Sequence, residues 1–367
     1  MILTVLFYSF VVFAAIQIIY YLVFSSFLFD KKKKRNSSLN ESISVIICAK
    51  NEAKNLQSFL PSIIKQEYSN FEIVLINDAS YDETLGVMES FEKEHENIKI
   101  VNVENTEAFW GNKKYALTLG IKAAKYDHLL FTDADCKPIS KHWISKMSEN
   151  FSKEKTIVLG YGKYKQENKL VNLFVRFETL LTAIQYFSYA KLGSPYMAVG
   201  RNLAYNRNEF FNIKGFINHM HIRSGDDDLF IQDAANKKNT TYALSKNSFT
   251  ESIAPKNFKE WFHQKRRHIS TAKHYKNKHK LFLSLFFISK ILFFLLASVL
   301  FFFFTWKIIL PIVLTYYLVQ FIVIGFASKK LKEPLITFFL PFLEIGLLIF
   351  HLSIFITNLS SKPNHWK

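Results

Sequence analysis

His128-Leu129-Leu130-Phe131-Thr132-Asp133-Ala134-Asp135-Cys136 begins as a short buried strand and delivers two carboxylates, two residues apart, where that strand ends. In open parallel α/β sheets, ligands sit beyond the carboxyl ends of the strands, so the pair is well placed to meet one. Aspartates are poor strand residues, and two at a strand terminus make sense if a hard divalent cation and a phosphate-bearing ligand share them. The alternative is that Asp-x-Asp caps a helix beginning near Ser140. The tripeptide alone does not choose between these readings, and the rest of the chain must.

Working outward, the apolar residues pile up at both ends of the 367-residue chain. Residues 1 to 29 carry no charge and are long enough to cross a bilayer, and the absence of a basic n-region and small-residue cleavage site argues for an uncleaved anchor. Three further apolar spans run from Leu281 to Phe304, Ile308 to Ala327 and Leu335 to Thr357, the last broken only by Glu344 and His351. Basic stretches follow the first span (Lys31 to Arg35), precede the second (His274 to Lys280) and separate the third from the fourth (Ser328 to Lys332). If the spans alternate, all three lie on one side, which the positive-inside rule makes cytoplasmic, with both termini outside. The expected organisation is an anchor over 1–29, a basic linker over 30–42, a cytoplasmic domain over 43–280 and three membrane helices with a short tail over 281–367. The expected localisation is that of an integral membrane protein in a bacterial inner or plasma membrane.

The formal charge of +17 sits largely beside the apolar spans, where it meets anionic lipid head groups; it does not call for nucleic acid. Cys48 and Cys136 are distant and lack metal-ligand spacing, so neither a disulfide framework nor a zinc site is indicated. Neither a P-loop nor a G-x-G-x-x-G fingerprint is present.

Within the soluble part, Ile43 to Cys48 is an apolar, β-branched run suited to a strand buried on both faces, and a helical pattern follows through Leu56, Leu60, Ile63 and Ile64. Phe71 to Ile76 repeats the theme, with a helix expected from about Asp82. Ile98 to Val103 gives a third strand, and Gly111 to Ala124 a helix with Tyr115, Leu119 and Lys122 on a common face. The alternation with short connections predicts an α/β fold with a doubly wound, mostly parallel sheet. Three strands then end on one rim in polar residues: Asn51 and Glu52, Asp78, and Asp133 with Asp135. For Asp78 an Asx-turn is the competing reading, but the convergence favours a nucleotide pocket.

Beyond Thr156 to Leu159, a possible strand, the alternation loosens. Leu170 to Ala190 suits either the membrane surface or ordinary core packing. Ser224-Gly225-Asp226-Asp227-Asp228 sets three aspartates together, either as a helix N-terminus or as the source of a carboxylate general base. Trp261 to His268 reads as a helix whose cations are either a solvated face or, through Arg267, a counter-charge for a departing diphosphate.

Read together, these pieces resemble the membrane-bound family 2 glycosyltransferases, the group that includes cellulose, hyaluronan and poly-N-acetylglucosamine synthases and ceramide glucosyltransferase. Ser44 to Glu52 looks like the family's opening strand. Asn77-Asp78-Ala79-Ser80-Tyr81-Asp82 looks like its D-G-S-x-D turn, with Ala79 where glycine is usual. Gly111-Asn112-Lys113-Lys114-Tyr115-Ala116-Leu117 is similar to its G-K-x-x-A-L helix start, Asp133-Ala134-Asp135 to its D-x-D metal motif, and Gly225-Asp226-Asp227 to its base motif. Gln264-Lys265-Arg266-Arg267-His268 fits Q-x-x-R-W except that His268 replaces the tryptophan.

The resemblance implies a GT-A fold and an inverting transfer of sugar from a nucleotide-sugar donor, UDP-linked by family preference, to a hydroxyl of a lipid or glycan acceptor at the membrane. It implies donor contacts from Ala49, Asn51, Glu52, Asp78, Lys113, Asp133, Gln264 and Arg267. Asp135 and Asp133 would bind Mg²⁺ or Mn²⁺, and Asp227, Asp226 and Arg267 would carry the chemistry, with Asp227 the base. The missing tryptophan argues against the first alternative, a processive polysaccharide synthase that also moves its product across the membrane. The second alternative, an inactive nucleotide-binding scaffold, would tolerate loss of Asp227.

Overall fold

A computed structural model describes residues 1–30, 41–104, 113–222 and 224–361. The apolar, β-branched runs form the strands expected of them. In chain order the first membrane helix α1 (Ile2–Phe24) leads to β1 (Ile43–Ala49), α2 (Ala53–Ile64), β2 (Phe71–Asp78), α3 (Thr84–Glu94), β3 (Ile98–Val103), α4 (Lys113–Ala123) and β4 (His128–Asp133). There follow β5 (Cys136–Pro138), α5 (Trp143–Ser148), β6 (Ile157–Leu159), β7 (Gly162–Tyr164), α6 (Leu170–Lys191), β8 (Leu203–Asn206), α7 (Arg207–Asn212) and α8 (Asp228–Ala234). The chain closes with β9 (Thr240–Tyr242), β10 (Thr250–Ser252), α9 (Phe258–Thr271), α10 (Asn277–Phe303), α11 (Trp306–Lys330) and α12 (Leu340–Ser360).

Among the described residues, the main sheet has seven strands in the order β3-β2-β1-β4-β8-β6-β9. β1, β2, β3 and β4 run parallel, whereas β8 is antiparallel to both of its neighbours, so the expected parallel sheet holds for the first half and becomes mixed beyond β4. Alternation along β1 sends Val45 and Ile47 to a core shared with Leu56, Leu60, Met88 and Trp143, and Ile46 to the opposite core with Leu117, Ile121 and Phe131. Both faces of the sheet are thereby covered. A second sheet, β5-β10-β7, lies beyond the end of β4.

Asp133 and Asp135 do not cap a helix: β5 intervenes, and α5 begins only at Trp143. On α4 the buried positions are Lys114, Ala116, Leu117, Gly120 and Ile121, so the expected Tyr115, Leu119 and Lys122 face is the more open one. Gly111 and Asn112 lie outside the described residues. Of the two readings for the stretch from Leu170, core packing holds, since α6 is buried along most of its length.

Among the described residues, four helical segments are long and apolar enough to cross a membrane, one N-terminal and three C-terminal. α1 packs antiparallel on α10: Phe7 stacks on Phe304 at one end, Phe10 on Phe293 in the middle, and the Tyr20 hydroxyl donates to the Phe282 carbonyl at the other. α11 returns alongside, with Lys330 Nζ donating to the carbonyls of Phe27 and Leu28. α12 departs from this pattern. Glu333, just before it, pairs with Arg176 of α6; Glu344 pairs with Lys290 of α10 at 2.7 Å; Phe350 stacks on Trp261 of α9 at 3.8 Å. Arg266 of α9 then donates to Asn358 Oδ1 at 2.8 Å and to the Ser361 carbonyl at 2.7 Å. The sequence reading puts the C-terminus across the membrane from the domain over 43–280; in the structure the end of α12 is hydrogen-bonded to α9 of that domain. Counting apolar residues does not register what the polar positions of such a helix hold.

Candidate active site

The carboxyl ends of β1, β2 and β4 form one rim, and the turns there are cross-braced. The Asn51 amide N–H donates to Ser80 Oγ at 3.0 Å, Tyr81 N–H to Asn51 Oδ1 at 2.9 Å, and Glu52 N–H to Thr84 Oγ1 at 2.8 Å. Asn51 thus shapes the turn after β2, with its own backbone in the left-handed region at φ 57°. Ala79 adopts φ 47°, which explains why glycine would suit that position. Asp78 is buried, and burial raises its carboxyl against the opposing fields of Lys50 and Lys113. Burial likewise raises Glu52, helped by Asp135 and Asp133 across the rim. Ala49 ends β1, in register with Asn77.

Lys113, at the start of α4, joins two of the motifs. Its ammonium lies 3.0 Å from Asp133 Oδ1 and 3.1 Å from Asp226 Oδ2. Burial disfavours its charge, but the two carboxylates more than offset that and hold its pKa well above the ordinary lysine value. A cavity lined by Cys48, Lys113, Asp133, Gly200, Asp226 and Asp227 brings the metal-motif strand and the base motif together.

One ligand atom each from Asp133, Asp135 and Cys136 falls within a 4.8 Å cluster. The two carboxylates are hard oxygen donors that fit Mg²⁺ or Mn²⁺ together with phosphate oxygens. Cys136 does not belong to that donor set: its thiol donates to Asp135 Oδ1 at 3.2 Å, and burial keeps it protonated. Asp135 is raised by burial first and by Asp133 second, the condition that a cation would relieve.

The three consecutive aspartates have three separate partners. Asp226 pairs with Lys113, which overcomes the effect of burial and lowers its pKa. Asp227 caps α8, accepting from Asp228 N–H at 2.7 Å through Oδ1 and from Gly200 N–H at 2.7 Å through Oδ2. Asp228 accepts from the hydroxyls of Thr271 at 2.6 Å and Tyr275 at 2.7 Å, which ties the run to the end of α9. Burial, reinforced by Asp226 and Asp228, pushes Asp227 up to about 8. Gly225 precedes them at φ 91°, where an added Cβ would stand 2.7 Å from Leu229. The helix-cap and general-base readings of this stretch therefore fall on one residue, Asp227.

On α9, Gln264, Arg267 and His268 share a face at helical spacing, while Lys265 pairs with Glu178 at 2.7 Å and Arg266 with the end of α12. Gln264 Oε1 is buried and makes no hydrogen bond to the described residues. Burial lowers Arg267, whereas His268 beside it is exposed. Neither residue lines the cavity around Lys113.

The residues that sequence reasoning missed are Gly200, Arg201, Thr271 and Tyr275. Their one visible signal was a lone arginine, Arg201, in the otherwise uncharged run Met197 to Tyr205.

Comparison with known proteins finds relatives by sequence and by fold. The description "Glycosyl transferase family 2" matches residues 44–230. Poly-beta-1,6-N-acetyl-D-glucosamine synthase of Staphylococcus epidermidis is 32% identical over 183 residues, 47% of this chain and 41% of that protein. 4,4'-Diaponeurosporenoate glycosyltransferase of Staphylococcus haemolyticus is 26% identical over 200 residues, 52% of this chain and 51% of that protein. The matches thus span about half or less of these relatives' length. Among solved structures, a mannosyltransferase from Pyrobaculum calidifontis in complex with GDP-Man and Mn²⁺ superposes with a TM-score of 0.58 at 14% identity, covering 98% of this chain and 99% of that one. That likeness is one of fold.

Proposed function

Starting from the premise that this chain belongs to glycosyl transferase family 2, we propose that it moves a sugar, with inversion, from a nucleotide-sugar donor to a membrane-associated acceptor. The observation that carries the reading is Lys113, whose single ammonium contacts both the Asp133 of the metal motif and the Asp226 of the base motif. Donor and acceptor chemistry then share one cavity.

In this reading Asp78 and the braced Asn51–Glu52 turn receive the nucleoside, with UDP the nucleotide the family resemblance favours. Asp133 and Asp135 would hold Mg²⁺ or Mn²⁺, which when bound neutralises charge on the donor diphosphate. Lys113 adds a second positive charge beside Asp133. Asp227, fixed by two backbone amides, accepts the proton of the acceptor hydroxyl as its oxygen bonds to the anomeric carbon. The bond from that carbon to the diphosphate oxygen breaks, and its electron pair leaves with the nucleotide. A carboxylate with a pKa near working pH is well matched to this task. Gln264 and Arg267 of α9 lie outside the lining of the Lys113 cavity, and in this reading they meet the donor diphosphate from that side. Asp226 acts through Lys113.

We assign the catalytic domain, over 43–280, to the cytoplasmic side, with the anchor over 1–29 placing the N-terminus across the membrane and the basic segments meeting anionic lipid. The helices of 281–367 complete the membrane part. The Arg266 bonds to Asn358 and Ser361 support a C-terminal end on the same side as the catalytic domain. Single transfer is favoured over polymer synthesis by His268, an exposed imidazole where the polymerising members carry tryptophan. Purified protein in lipid, supplied with Mn²⁺, a panel of UDP- and GDP-sugars and a membrane lipid extract, should release nucleotide and give one discrete glycosylated product. A ladder of lengthening products would point to a synthase, and no release with any donor would reject the enzyme reading.

A further inference from the structure

Arg201 takes no part in the scheme above, yet it lies among its residues. It follows Gly200, whose amide holds Asp227, in the short turn that leads into β8. Its guanidinium stacks 4.3 Å from the centroid of the Tyr164 ring, and Nη1 donates to Ser252 Oγ at 3.2 Å. Its carbonyl accepts from Thr250 Oγ1 at 2.9 Å. Gly162 makes the space: a Cβ there would stand 3.1 Å from Arg201 Cβ and 3.3 Å from Nε. The strands β7 and β10 therefore build a slot around one side chain.

The charge in that slot is not balanced locally. Arg201 feels the fields of Asp135 and Asp133 on one side, and His268 of α9 feels the field of Arg201 on the other. Among the described residues, however, no carboxylate comes within ion-pair distance of it, whereas Arg176, Arg207, Lys113 and Lys265 each have one. A half-buried cation held in one orientation without a counter-ion is organised for an anion that arrives from outside, and the planar guanidinium fork suits a phosphate or carboxylate.

Position decides which anion. The nucleoside side of the cleft lies at the ends of β1 and β2, and the diphosphate has the metal pair and Lys113. Arg201 stands beyond Asp135, toward β8 and α9, one residue from the amide that fixes Asp227. Arg201 therefore adjoins the residue assigned as base, through the Gly200 amide that Asp227 accepts from. We propose that Arg201 is an anion-binding residue of the acceptor subsite, so that the acceptor carries a phosphate or carboxylate close to the oxygen that receives the sugar. The proposal rests on the transferase reading and names its substrate class.

The test uses full-length protein in phosphatidylcholine nanodiscs and two titrations: UDP with Mn²⁺, and dodecyl phosphate, laurate and dodecanol as probes of equal chain length. Wild type should bind UDP with Mn²⁺ and prefer one of the two anionic probes to the alcohol by about tenfold or more, the usual worth of a charge-assisted bond. Arg201→Gln should lose that preference while keeping UDP affinity within about twofold, and Arg201→Lys should retain part of it. Gly162→Ala, which keeps the charge but crowds its stem, should also weaken anion binding. Equal affinity of wild type for anion and alcohol overturns the proposal. A tenfold loss of UDP affinity in Arg201→Gln overturns it as well and makes Arg201 a donor residue. Failure of wild type to bind UDP or GDP with Mn²⁺ would instead reject the underlying transferase reading.

Discussion

The backbone N–H of Gly200 donates to Asp227 Oδ2 at 2.7 Å, so the carboxylate assigned as base is oriented from the strand side of the cleft as well as by its own helix. Asp227→Asn preserves size and one acceptor oxygen but cannot take a proton. Nucleotide binding should persist, and single-turnover transfer should fall by roughly 10²- to 10⁴-fold. Asp226→Asn, which acts through Lys113, should cost less. If Asp226→Asn proves the slower variant while still binding donor, the base is Asp226.

Burial and the neighbouring Asp226 and Asp228 push Asp227 up to about 8, and its active form is the unprotonated one. Transfer at saturating donor should therefore rise with pH through about 8 and level off above it. Activity is lost as pH falls, because the raised pKa leaves the carboxyl protonated. The rise should vanish from the residual activity of Asp227→Asn. An unchanged rate between pH 6 and 9 would exclude Asp227 as base.

Asp135→Ala removes a ligand from the cation and leaves the diphosphate charge uncompensated. Nucleotide affinity measured with and without Mn²⁺ should become independent of the metal, and turnover should disappear. Wild-type metal dependence in this variant would remove Asp135 from the site.

Arg266 donates to Asn358 and Ser361, contacts that favour a C-terminal end on the side of the catalytic domain. Alkaline phosphatase fused after Lys367 should be inactive and a green fluorescent protein fused there should fluoresce, as expected for the side that carries the catalytic domain. Active phosphatase there would place the C-terminus across the membrane from the catalytic domain.

Much of the catalytic half could be read from residues alone because its strands are buried on both faces and announce themselves as β-branched runs: Ile43, Val45, Ile46 and Ile47, or Ile73 to Ile76. The Asp133–Asp135 pair was legible for the same reason, lying where such a run stops. Arg201 was not, because its slot is assembled from β7 and β10, distant in sequence and three residues each. The end of α12 was hidden by composition. Its polar residues Glu344, His351 and Asn358 recur every seven positions and so share one face, and each bonds to protein: Lys290, Glu178 and Arg266 in turn. A count of apolar residues averages that stripe away.

The separate partners of Asp226, Asp227 and Asp228 bear on how this segment tolerates change. Because the residues are chemically identical, loss of one by deletion leaves a sequence that still reads as an acidic run. The frame would be wrong nonetheless, since a slip of one position turns a helical residue by about 100° and moves the cap off its amides. Lys113, Gly200 and the Thr271–Tyr275 pair cannot all be met in any second register. Length, more than acidity, is what this stretch encodes.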